Sequence, residues 1–407
     1  MVTREDLTRD HPVRRPLGVV LSLSMALLLL GVVLAVSARG SPATTMDQQN
    51  SIGVWVTEDV DRGLFVSLAL APSRPHTACA SYSHFPRRSL NYACLTPNGW
   101  VTETVDGGTE VDWTSLVLEP VSPYTPHIAY VANPADHDLK HAWWTPGGWR
   151  NETVDSVGEV GAYASLALAP SAPYTPHVAY LDQTNSAVKH AWRTPDGWMS
   201  ETVSGEPMYG WYASLALAPA SPYTPQIAYV GGRNLFHMVY AWRTAGGWFT
   251  ETVDEQAHSG RFASLALAPG APYTPHISYL GGAYEDLKYA WRGPAGWEID
   301  VLDSEGDVGW YTALALAPTS PYTRHIVYWD QSNEVLKHAW GAQAGWRRER
   351  ISGADLHGFL WQPSLALETT APYTPHVAYQ DSEFDLHHAW RVPGHTIFLP
   401  LTLRSYP

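Results

Sequence analysis

A segment of about 49 residues recurs along this chain, and that recurrence restricts the fold more than any other feature. The tryptophans Trp100, Trp149, Trp198, Trp248, Trp297 and Trp346 stand 49 or 50 residues apart. From Trp149 onward they sit in near-copies of one motif: GGWRNETVD, DGWMSETVS, GGWFTETVD, AGWEIDVLD and AGWRRERIS. Three further motifs lie between them in fixed order. SLALAP begins at Ser165, Ser214 and Ser264, with variants at Ser67, Ser115, Ala313 and Ser364. YTPHVAY follows, as at Tyr174 to Tyr180, and then LKHAWR, whose variants reach Trp143, Trp192, Trp242, Trp291, Trp340 and Trp390. Each motif is a short β-rich run bounded by Pro, Gly, Asp or Asn, which is a strand signature. Four strands per period of this length make the blade of a propeller. The absence of a 3.6-residue periodicity disfavours a helical solenoid, and a β-helix needs shorter coils. A string of independent modules is the main rival.

Counting predicts how the ring closes. The first three motifs occur seven times each, but no GW-x-x-ETVD segment follows the last LKHAW strand, Leu386 to Arg391. The missing copy lies at the other end, as GVWVTEDVD from Gly53 to Asp61. The expected fold is therefore an all-β, seven-bladed propeller with four antiparallel strands per blade. Its N-terminal strand completes the last blade and removes an exposed sheet edge. The tail Thr396 to Leu403 competes for that slot or packs beside it.

Residues Leu17 to Val36 carry no charge and follow Arg4, Arg9, Arg14 and Arg15. Twenty helical residues span about 30 Å, the thickness of a bilayer core, and the arginines place the N-terminus in the cytoplasm. An uncleaved anchor and a signal peptide cut near Ala38 both fit, and either exports the rest. If the anchor is kept, the clasp follows the tether directly and holds the ring close to the membrane. The expected organisation is 1–16 cytoplasmic, 17–38 transmembrane anchor or signal, 39–52 linker, 53–395 propeller and 396–407 tail.

The recurring side chains read first as packing. Both sets of tryptophans are expected between blades; the set from Trp143 to Trp390 is also the candidate ligand-stacking set. Glu58, Glu103, Glu152, Glu201, Glu251, Asp300 and Glu349 stand three residues after the motif Trp. The only lysines, Lys140, Lys189, Lys288 and Lys337, share one third-strand position, with Arg193, Arg243, Arg292 and Arg391 on the same face. Cross-strand ion pairs within each blade are expected from this. His76, His127, His177, His276, His325 and His376 are read as one repeat position, with Gln226 in the fourth blade. His141, His190, His338 and His388 alternate with Tyr92, Tyr240 and Tyr289. Tyr and His both pack an apolar body and donate one hydrogen bond, so a structural role is expected and no metal. The turns Asp155 to Glu159 and Asp303 to Asp307 lack a twelve-residue calcium loop.

Cys79 is read at a position that is Tyr in other blades, and Cys94 at one that is Trp. Joint replacement on facing strands predicts a Cys79–Cys94 disulfide and an oxidising compartment.

The repeat resembles one found in uncharacterised exported bacterial and archaeal proteins, of the form SLALD…PHISYYD…LKYA…GW..ETVD, over residues 53–395. The chain departs from it by an extra Pro-Tyr-Thr-Pro and by Trp after KHA. More distantly it resembles propeller lectins, which implies sugar binding between blades through aromatic and polar groups. The sialidase aspartate box, catalytic triads, P-loops and zinc-protease motifs are absent from the sequence. A net charge of -14 excludes a broad nucleic-acid surface. The expected function is an extracytoplasmic binding or scaffold module without cofactor or catalytic residues. It engages a glycan or a protein partner, for instance as accessory subunit of a membrane complex. The alternative is a glycan hydrolase or lyase whose site uses the repeat-breaking residues His258, Arg261, Asp355 and His357, in the irregular segments Glu206 to Trp211, Glu255 to Arg261 and Ala354 to Trp361.

Overall fold

The computed structural model describes residues 53–132, 137–204, 212–232, 236–342, 345–355 and 362–392, without side chains for 352–355. The anchor, linker and tail, Glu206 to Trp211, and the side chains of Asp355 and His357 lie outside the described residues. Among the described residues no helix is long and apolar enough to cross a membrane.

The described chain is all β, in five four-stranded antiparallel sheets and one of seven strands. The larger sheet is two blades joined by one strand, Val54–Leu70. Its first half pairs with the last strand, Asp385–Val392, from Val54 opposite Val392 to Arg62 opposite Asp385. Its second half, from Gly63 to Leu70, is the innermost strand of blade 1. The N-terminal segment thus fills the slot that the count left open, and the seven blades close.

Seven buried apolar clusters fill the seven junctions between blades. The blade 2–3 junction shows their construction: Ala129 and Leu139 of blade 2 meet Val160, Val178, Tyr180 and Ala191 of blade 3. All six are 0 % exposed. Strand alternation makes this possible, because each blade sends one face forward and the other back.

Small residues in the innermost strands let the blades converge, and their serines also link the ring. Each serine Oγ accepts the N–H of a leucine in the next blade: Leu116 to Ser67 at 2.9 Å, then Leu166 to Ser115, Leu215 to Ser165, Leu265 to Ser214 and Leu314 to Ser264, each at 3.0 Å. Leu68 closes the circuit onto Ser364 at 2.9 Å. Blade 6 carries Ala313 in this place.

Two residues before those small residues stands an aromatic in six blades: Phe65, Trp113, Tyr163, Tyr212, Phe262 and Tyr311. All six have positive φ, between 44° and 63°. This conformation is costly for a bulky side chain, and contacts among the rings offset it. Neighbouring centroids lie 5.4, 5.1, 4.4, 4.4 and 4.2 Å apart around the axis. Blade 7 has Gln362 instead. The belt borders an axial cavity of about 120 Å³.

Candidate functional site: the clefts between blades

Register decides which groups meet. In blade 3, His177 is opposite Trp192 and His190 is opposite Glu201, whereas Lys189 is opposite Thr202 and Arg193 opposite Trp198. The glutamate and the cations therefore lie on opposite faces of one blade, and the ion pairs expected within a blade do not form there. They form between blades. Arg193 reaches Glu152 of the preceding blade at 3.0 Å, Arg243 reaches Glu201 at 2.6 Å, Arg292 reaches Glu251 at 3.3 Å and Arg391 reaches Glu349 at 2.7 Å. Lys288 meets Asp254 at 2.8 Å and Lys337 meets Asp303 at 3.2 Å, again one blade back, while Lys337 also meets Asp330 on the second strand of its own blade at 2.6 Å. The same carboxylates accept indole N–H groups, from Trp198 to Glu152 and from Trp297 to Glu251, both at 2.8 Å. Burial raises the Glu152 carboxyl, but hydrogen bonds from His141, Trp198 and Arg193 and the Arg193 charge outweigh it and hold it down to about 2.

The forward face carries a ladder of rings. His127 Nδ1 lies 3.0 Å from His141 Nε2, and His177 and His190, and His325 and His338, repeat that distance. His376 and His388 pair at 2.9 Å. In each pair one nitrogen donates and the other, on a neutral ring, accepts. Burial pushes His127, His177, His325 and His376 down to about 3. In blade 4 Tyr240 donates to Gln226 instead. The expected structural role of both histidine sets therefore matches the geometry. Among the described residues no three His, Cys, Asp or Glu side chains converge as a metal would need.

Each third-strand tryptophan extends this ladder. Trp143, Trp192, Trp242, Trp291, Trp340 and Trp390 lie directly opposite His127, His177, Gln226, His276, His325 and His376. All six are half-buried. Four stack on the third-strand imidazole of their own blade, with centroids 5.2 Å apart at His141–Trp143, 5.3 Å at His190–Trp192, 4.9 Å at His338–Trp340 and 5.2 Å at His388–Trp390. The six do not converge on one site; each stands at its own junction. Trp291, Trp340 and Trp390 line cavities of about 420, 200 and 520 Å³. The opposite wall of each comes from the next blade's Pro-Tyr-Thr-Pro loop or its blade 1 and blade 6 counterparts. The guanidiniums of Arg292 and Arg391 lie over Trp242 and Trp340, at 5.7 and 4.9 Å. The sequence showed these arginines and the Pro-Tyr-Thr-Pro loop but not their place at the clefts, because their partners belong to another blade.

Blade 1 departs from the set. The Cys79–Cys94 disulfide forms, and the two residues are directly opposite each other. Cys79 stands twelve residues after Ser67, as His177 does after Ser165, so it occupies the histidine position and not the tyrosine position. Tyr82 is the tyrosine of that blade, and His76 aligns with Tyr174. His76 and Tyr174 share positive φ, 55° and 50°.

At the other end of the strands, Arg261 pairs with Glu285 at 2.6 Å and lies over Trp310 at 5.5 Å. Glu285 hydrogen-bonds Asp307, whose carboxyl is pushed up to about 6 by burial and by that neighbour. His258 is exposed there.

No family model matches the chain, and no curated protein matches it. Solved structures do resemble it in fold. The BP39L lectin from Burkholderia pseudomallei has a TM-score of 0.66 at 17% identity, over 84% of this chain and 99% of that one. AofleA from Arthrobotrys oligospora has 0.51 at 16% identity, over 74% and 90%. A polysaccharide lyase, the PL25 ulvan lyase, has 0.53 at 12% identity, over 84% and 96%. At these identities the likeness is one of fold, and it joins this chain to the β-propellers.

Proposed function

We propose that this chain is a multivalent carbohydrate-binding ring displayed outside the cytoplasm, with no catalytic activity of its own. The observation that carries the reading is the recurrence, at successive junctions, of a half-buried indole at a cleft that the next blade walls with polar groups. An aromatic face with a few fixed polar groups is what a saccharide ring requires. The fold shared with the BP39L lectin supports it. The disulfide supports an oxidising compartment, and residues 17–36 supply the membrane tether in this reading.

A glycan array probed with the protein tests this. Specific micromolar binding is expected, and Trp390→Ala should weaken it by about 2 kcal/mol or roughly thirtyfold, as for a central aromatic contact. Absence of any saccharide signal, together with co-purification of membrane proteins, would replace this reading with a protein-partner role. A rim bearing Val101, Met199 and Phe249, each at least 50 % exposed, would then be the surface to test.

The second reading is a glycan hydrolase or lyase at the opposite end of the strands. The Glu285–Asp307 pair favours it, because one carboxyl is held near neutrality beside an ionised one. Turnover of an oligosaccharide that disappears in Asp307→Asn would establish it.

A further inference from the structure

We propose that the cleft between blades 5 and 6 is an oxyanion site, in which Arg324 takes the carboxylate or sulfate group of an acidic saccharide. This rests on the carbohydrate reading above and gives one cleft a ligand class. In blades 3, 4, 5 and 7 the third-strand arginine is neutralised by a glutamate of the preceding blade. Blade 6 has Gly341 in that position. A Cβ there would sit 2.2 Å from the carbonyl oxygen of Gly345, so no side chain fits. The guanidinium returns from the neighbouring strand. Arg324, directly opposite Gly341, replaces the proline found at 126, 176, 225, 275 and 375.

The relocated cation differs from the others in its partners. Arg324 Nε and Nη2 donate to the carbonyl oxygens of Gly341 and Ala342, at 3.3 and 2.5 Å. Its guanidinium lies over Trp346 at 4.6 Å and over Tyr289 at 5.3 Å. The preceding blade's acid is Asp300, one methylene shorter than the glutamates elsewhere. Among the described ion pairs Arg324 has no carboxylate partner. Backbone carbonyls and a hydrogen bond to Tyr289 fix the position of the cation, but none of these partners is a carboxylate that would neutralise its charge. Arg324 lines a cavity of about 420 Å³ with Trp291, Tyr322 and His276. Tyr322 Oη and His276 Nε2 are 2.9 Å apart, and burial holds His276 down to about 4, so the imidazole adds no charge. A planar guanidinium fork binds carboxylate or sulfate oxygens, and the Trp291 indole offers a flank for the sugar ring.

The test is calorimetry on the full-length protein with a glucuronate-terminated oligosaccharide, a sulfated one and their matched neutral counterpart. At least one acidic probe should bind about tenfold tighter than the neutral one, and its identity distinguishes carboxylate from sulfate. The preference should weaken with added salt. It should vanish in Arg324→Gln and in Arg324→Pro, which restores the residue of five other blades and serves as the second variant should one fold poorly. Arg62→Gln, which removes a cation already paired with Asp385 at 2.9 Å away from the clefts, should leave the preference intact. Equal binding of acidic and neutral probes, or a preference that survives both Arg324 substitutions, overturns this assignment while leaving the carbohydrate reading standing. Failure of every saccharide to bind overturns both.

Discussion

The paired imidazoles should make the ring acid-labile in a pH window of their own. His127 is 8 % exposed and is held down to about 3, against an unfolded value of about 6.5. It faces His141 at 3.0 Å and Glu119 at 3.4 Å. The folded state resists the proton and the unfolded state takes it up below about 6.5. This contribution to stability is therefore complete above pH 6.5 and declines as pH falls toward 3. At pH 5 the loss is about 2 kcal/mol for one such imidazole. His177, His325 and His376 repeat the arrangement, so the summed loss has an upper figure of about 8 kcal/mol, comparable to a whole domain's stability. Ion-paired carboxylates such as Glu152, held at about 2, add their loss only below the ordinary glutamate range. In the interval from pH 6.5 to 5 the imidazoles supply the loss, opposed there by Asp307, whose carboxyl is pushed up to about 6 and takes up its proton in the folded state first. Blade 4 supplies the control, since Gln226 and Tyr240 fill the same two positions without titrating there. The double variant His127→Gln, His141→Tyr should lose about 2 kcal/mol less than the parent between pH 7 and pH 5, read from urea unfolding at both pH values. An identical pH dependence in the two proteins would refute the account.

Three further outcomes follow from the closure and the core. Reduction of the Cys79–Cys94 bridge, which spans 15 residues, should cost about 3 kcal/mol and lower the melting temperature measured with and without dithiothreitol. Ala313→Ser should restore the serine that blade 6 lacks and raise stability by about 1 kcal/mol in urea titration. Trp55→Ala should cost about 3–5 kcal/mol in the same titration, because the indole is 6 % exposed in the clasp and donates to Glu349 at 2.9 Å.

The blade count, the clasp at Gly53 to Asp61 and the disulfide were legible because each depends on comparing copies of one repeat. What escaped depends on strand parity and on neighbours in other blades. Lys189 and Glu201 lie on adjacent strands of one blade, yet alternation sends them to different junctions. Arg324 and Gly341 read as two unrelated deviations until their cross-strand pairing puts them side by side. The axial belt was missed for a different reason. Its members change among Phe, Trp and Tyr, and their shared role comes from positive φ, which the residue type does not announce. An aromatic two residues before each innermost Ser or Ala was the available signal. The misplacement of Cys79 by three positions was a matter of counting from the wrong landmark, since Ser67 gives the alignment that His76 obscures.

Because Val54 to Arg62 pairs with Asp385 to Val392, the ring cannot close until the last blade has been made. During synthesis this strand waits as an open edge while more than three hundred residues follow it. An open edge invites pairing with other chains. The waiting segment reads VWVTEDVDR, and Glu58, Asp59 and Asp61 give it a negative charge that repels a second copy of itself. Its correct partner carries His387, His388 and Arg391, and His388 and His387 meet Glu58 and Asp59 at 3.0 Å each. The clasp thus serves before the ring exists, as a protected end that recognises the opposite terminus of its own chain.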